Sequence, residues 1–138
     1  GRVYQAGPLR RISMPVAGAL ATLKKIEAPG FNDRHGPKPR RLGGGLKPAA
    51  KAAGVPSPAD SVGGMFGLYF LPQRPQGFAD VMKADKNAFN TFFHGMLDRG
   101  HYFAPSTFEA GFVSITHTDE VIDKTIADAR EVFASMAK

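Results

Sequence analysis

The chain has no cysteine among its 138 residues, which excludes disulfides, thiolate metal sites and cysteine nucleophiles. It also has no apolar run near the roughly 20 residues needed to cross a bilayer, and its first residues show no signal-peptide pattern. A soluble, cytoplasmic protein is the expectation. The four histidines, His35, His94, His101 and His117, do not fall at the spacing of a zinc site. Ser, His and Asp all occur without a nucleophile elbow. GGGLKPAAK, residues 43–51, has glycines and a lysine but not the Gly-Lys-Ser/Thr ending of a phosphate loop. No internal repeat is visible.

What is present suits one domain with a modest core: hydrophobic content is 43% and charged content 22%. The net charge of +6 is uneven. Residues 1–60 carry 11 Lys and Arg against 3 acids, and residues 61–138 carry 7 against 9. A basic half suits an anionic partner, or a surface that meets another domain. The basic residues are not interleaved with stacking aromatics as in single-strand binders, which argues against nucleic acid.

Three regions are expected. Residues 1–30 hold a short basic, strand-like segment and a linker helix, with Ser13 as cap, Pro15 in the first turn and Val16, Leu20, Leu23 and Ile26 at helical spacing up to Pro29-Gly30. That face needs cover from this chain or a partner. Residues 31–60 contain Pro37, Pro39, Pro48, Pro56 and the run Gly43-Gly44-Gly45, which predicts a poorly ordered stretch with a broken helix over 40–53. Residues 61–138 read as α+β. Met65–Leu71 is an aromatic-rich apolar run, read as a buried strand entered through Gly63-Gly64. Asp85 caps a helix with Phe89, Phe92, Phe93, Met96 and Leu97 on its apolar face, ending at Gly100. Two strands, one around Tyr102-Phe103 and one over Phe112–Ile115, flank a loop. Thr118 caps a last helix whose inner stripe is Ile122, Ile126, Ala129, Phe133 and Met136. The sum is a small antiparallel sheet covered by helices.

The loop between those two strands carries Glu109 between Phe108 and Ala110-Gly111. A lone acid among apolar neighbours is either a solvated loop residue or one that serves a partner or ligand. Both readings stay open on spacing alone.

These residues also carry a family resemblance. APSTFEAGFVSITHTDEVID, with SVGGMFGLYF, FNTFFHGMLDRGHYFAPS, GRVYQAG and LATLKKIEAPGF, resembles the C-terminal part of glutamate-1-semialdehyde 2,1-aminomutase. The resemblance covers most of the chain. It implies the aminotransferase fold and a homodimeric enzyme dependent on pyridoxal 5'-phosphate. It also implies conversion of glutamate 1-semialdehyde to 5-aminolevulinate for tetrapyrrole synthesis. The Schiff-base lysine of that family lies in a large domain preceding the segment matched here. Lys24, Lys25, Lys83 and Lys86 fit solvated positions, so the isolated chain is expected to be inactive and to hold no cofactor stably. Glu109 matches the family glutamate that faces the active site and handles amino groups. Gly7-Pro8-Leu9 matches a Gly-Thr-Leu whose threonine binds the cofactor phosphate of the other subunit. Pro8 offers neither hydroxyl nor N–H, and Arg10-Arg11-Ile12-Ser13 stands where the family has Ser-Gly-Asn-Pro. True divergence and a damaged coding segment both fit that stretch. From another class, the rival is a non-catalytic basic module for nucleic acid or an acidic protein.

Overall fold

The structure is a computed structural model, and it describes residues 12–137. The chain divides into two compact units, residues 1–33 and residues 34–138. In the first, α1 (Ser13–Ile26) forms as its spacing predicts, but Ile12, not Ser13, occupies the cap position, without a side-chain bond. Lys24 and Lys25 lie in the last turn, where cations favour the helix dipole. No residue of α1 is buried. α2 (Phe31–His35) is a single turn that follows Gly30, a residue with φ of 74°.

The second unit begins with the largest departure from expectation. Instead of a broken helix over 40–53, α3 (Pro37–Ala52) runs 16 residues without a break. Pro37 and Pro39 sit in its first turn, where backbone N–H groups have no intrahelical acceptor in any case, so proline costs nothing there. The glycines are tolerated because packing overrides propensity. Leu42, Leu46, Ala49 and Ala50 form a buried stripe. At Gly45 an added Cβ would lie 2.4 Å from Ile126 Cδ1, so glycine lets α3 approach the last helix closely.

β1 (Ala59–Val62) and β2 (Met65–Leu68) form a hairpin around Gly63-Gly64, with Val62 opposite Met65. β1 was not expected from the sequence. β2 is shorter than the Met65–Leu71 run, and Phe70 and Leu71 enter the core beyond its end. α4 (Phe78–Val81) is one turn. α5 (Lys86–Leu97) is capped by Asp85, whose Oδ1 accepts from the N–H groups of Asn87 and Ala88 at 2.9 and 3.0 Å. It ends at Gly100, φ 84°, with His101 N–H donating back to Met96 O at 2.9 Å. Only one strand flanks Glu109: β3 (Gly111–Phe112), while residues 101–104 form none. α6 (Asp119–Met136) is capped by Thr118 Oγ1.

The sheet is antiparallel in the order β1-β2-β3. Ala59, Phe66 and Leu68 belong to the core with α3, α5 and α6. Val62, Met65 and Phe112, paired in one row across the three strands, are exposed on the opposite face. The core is aromatic: Phe92 stacks on Phe133 at 4.7 Å, and Phe70 contacts both. This is the small α+β sheet with helices that the sequence predicted.

Candidate functional site

The Glu109 loop is built from its own polar groups. Ser106 Oγ accepts from Phe108 N–H at 3.2 Å, and Ser106 O accepts from Glu109 N–H at 3.1 Å. Ser106 thus shapes the loop, as a hydroxyl beside a turn commonly does. Thr107 is buried, and its Oγ1 has no hydrogen-bond partner among the described residues. Phe108 packs on Phe78 at 6.2 Å, and the Lys86 ammonium lies 5.4 Å from the Phe108 ring centre.

Glu109 itself is exposed. Its carboxylate has no hydrogen bond or ion pair among the described residues. It borders a depression of about 20 Å³ walled by Phe66, Phe89, Phe103 and Ser106, room for about one water. This acid is therefore presented rather than buried, on a loop held from behind by β3 and α5. Gly7 and Pro8, the other two positions singled out in the sequence, lie outside the described residues.

Spacing did not reveal the polar cluster beside the loop's root. His101 Nε2 lies 2.6 Å from Asp128 Oδ2, and its Nδ1 lies 3.2 Å from Thr125 Oγ1. Lys124 donates to the same Asp128 oxygen at 2.7 Å. The Lys124 and His101 hydrogen bonds hold the Asp128 carboxyl below its ordinary value. Only the Lys124–Asp128 spacing of four was readable; His101 reaches α6 across 27 residues. A second fork joins α3 to α6, where Arg41 binds both oxygens of Asp123 at 2.9 and 2.7 Å. His35 Nε2 donates to Val113 O at 2.5 Å, with its ring against Gly64.

Lys83 is bound to Asp80 at 2.9 Å and Lys86 rests over Phe108. Lys47 and Lys51 border an open depression at the carboxyl end of α3, where the helix carbonyls disfavour phosphate. No group of His, Asp and Glu among the described residues is placed to hold a metal, and no described helix is long and apolar enough to cross a membrane.

Among solved structures, the chain is similar to an omega-transaminase from Sphaerobacter thermophilus, with a TM-score of 0.75 and 16% sequence identity. The match takes in 98% of this chain and 30% of that one. At that identity the likeness establishes the fold. No protein-family model matches the chain.

Proposed function

We propose that the chain is the C-terminal portion of a pyridoxal-phosphate enzyme, of the glutamate-1-semialdehyde 2,1-aminomutase type. The carrying observation is the fit of 98% of the chain onto 30% of a transaminase, alongside the motifs around Ala104–Asp119. In the whole enzyme the cofactor supplies the electron sink for amino-group transfer. It is held there by the large domain of a cytoplasmic homodimer. The isolated chain, with its lysines at the surface, is inactive.

Glu109 has the role of meeting the amino groups of substrate and intermediate. An exposed carboxylate free of internal partners can accept hydrogen bonds or a proton from an amine without first breaking an ion pair. In a full-length enzyme carrying this C-terminal segment, Glu109→Gln should lower turnover by about 10²-fold or more, the scale of a positioned acid–base group. Unchanged turnover would remove Glu109 from the mechanism. Borohydride trapping of the isolated chain with pyridoxal phosphate should label lysines in a scattered, sub-stoichiometric way; stoichiometric labelling of one lysine would overturn the incomplete-enzyme reading.

Arg40, Lys47 and Lys51 lie exposed along α3 without an ion-pair partner among the described residues, which favours the second reading, a basic interaction module. Steeply salt-dependent binding of DNA or RNA by the isolated chain would support that reading.

A further inference from the structure

A cavity of about 280 Å³ lies between the start of α6, residues 101–104 and β3. Leu42, Val113 and Ile122 are buried on its lining, while Tyr102 and His117 are exposed at its mouth. An apolar cavity of about 150 Å³ is enough for a benzene ring, so this one has room for a ring with a substituent.

Two polar side chains on its wall, Thr125 and His101, are already committed, and Tyr102 keeps its hydroxyl at the exposed mouth. His101 Nε2 must donate to the Asp128 carboxylate at 2.6 Å, and a single ring proton there leaves Nδ1 to accept, so the Thr125 hydroxyl proton is shared between Nδ1 at 3.2 Å and Val121 O at 2.8 Å. Neither residue has a proton left for a ligand. His117 differs. Its Nδ1 accepts from Ser114 N–H at 3.1 Å, so the proton of the neutral ring sits on Nε2, and that nitrogen has no partner among the described residues.

We infer that this cavity binds a small, neutral, largely apolar molecule of about one substituted ring, which places a single carbonyl-type acceptor on His117 Nε2–H. Charge is selected against in both directions. Glu120 in the first turn of α6, without an ion pair among the described residues, disfavours an anion. Lys38 and Arg41 are engaged with His117 O, Asp119 and Asp123. A cation would find no carboxylate, because the lining holds no Asp or Glu. Glu109 is not on its lining, and the site does not depend on the proposed enzymatic role.

The test is a methyl-resolved NMR titration of the full 138-residue chain with three probes: acetophenone, its isostere ethylbenzene, and benzoate. Acetophenone should move the methyl signals of Val113, Val121 and Ile122 saturably. It should bind about 5- to 10-fold tighter than ethylbenzene, the value of one hydrogen bond. Benzoate should bind more weakly than acetophenone. Val121→Trp, at an exposed position on the cavity wall, should abolish the shifts. Absence of saturable shifts with wild type, or their persistence in Val121→Trp, overturns the site. Equal binding of acetophenone and ethylbenzene overturns the role of His117, and tighter binding of benzoate overturns the neutral-ligand assignment. The probe comparison uses wild-type chain, so it decides these points even if the tryptophan variant does not fold.

Discussion

Helices α1 and α6 were drawn from the same kind of sequence signal and met different fates. Each repeats apolar residues at helical spacing behind charged neighbours. In α6 the stripe is consumed: Ile122, Ala129, Val132 and Phe133 are buried against α3 and α5. In α1, Val16, Leu20, Leu23 and Ile26 are 40–55% exposed. Periodicity states which face of a helix needs cover; it does not say what covers it. The difference separates a helix that holds its unit together from one whose apolar face is available to something further.

The sharpest way to break this comparison is to truncate one side chain on each helix. Phe133→Ala should cost about 3–5 kcal/mol, because a fully buried ring stacked on Phe92 is removed. Leu20→Ala should stay within about 0.5 kcal/mol. Urea denaturation of both variants checks the pair. A Leu20→Ala loss approaching that of Phe133→Ala would mean that the face of α1 is covered in solution, for instance by a second copy.

A smaller effect sharpens the α3 side of the contact. Gly45→Ala removes a flexible residue from a helix, which ordinarily stabilises. Here the methyl would fall among the Ile126 side-chain atoms. The expected net loss is about 1–3 kcal/mol, relieved in the double variant Gly45→Ala/Ile126→Ala. Equal stability of wild type and Gly45→Ala would show that α3 and α6 have slack between them.

The smallest effect is in acid. Asp128 titrates below its ordinary value when folded, because of the Lys124 and His101 hydrogen bonds. A lowered folded value means the unfolded chain takes up the proton first. The stabilisation is therefore present above the ordinary carboxylate value and is lost as pH falls through the folded one. Denaturation midpoints of wild type should drop more steeply than those of Asp128→Asn as pH is lowered from about 5 towards 2. Parallel curves would leave the cluster without a part in acid stability.

The sequence was most legible where a local rule and the tertiary structure agree. Asp85 and Thr118 cap because their side chains reach their own helix's N–H groups, and Gly100 ends α5 because a positive φ suits glycine. Of the predicted α6 stripe, Ile122, Ala129 and Phe133 are buried and Ile126 and Met136 partly so, while Thr125 and Val132 are buried beside them. Legibility failed where a distant residue decides. Proline and glycine counts argued against α3, but Ile126 gives Gly45 a reason and the first turn gives Pro37 and Pro39 a place. β1 is four residues, Ala59–Val62, with an aspartate inside, and only its pairing with β2 makes it a strand. At the candidate site, Glu109 and the Ser106 turn were readable from a few consecutive residues. The His101–Asp128 contact and the cavity beside it join parts of the chain with no shared sequence pattern.

The last consequence concerns Phe66 and Gly111. β3 pairs with β2 through two residues, and one further backbone bond, Val113 N–H to Gly64 O at 2.9 Å, helps fix where along β2 it sits. The Phe66 ring does so mechanically, because an added Cβ at Gly111 would lie 2.2 Å from Phe66 Cζ. A slip of one residue would invert the strand's faces, and a slip of two, about 6.8 Å, would bring Val113 or Glu109 to the position that only a glycine fits. The ring and the gap work as key and keyway, and the height at which the loop holds out its carboxylate is cut by a phenylalanine that is itself buried.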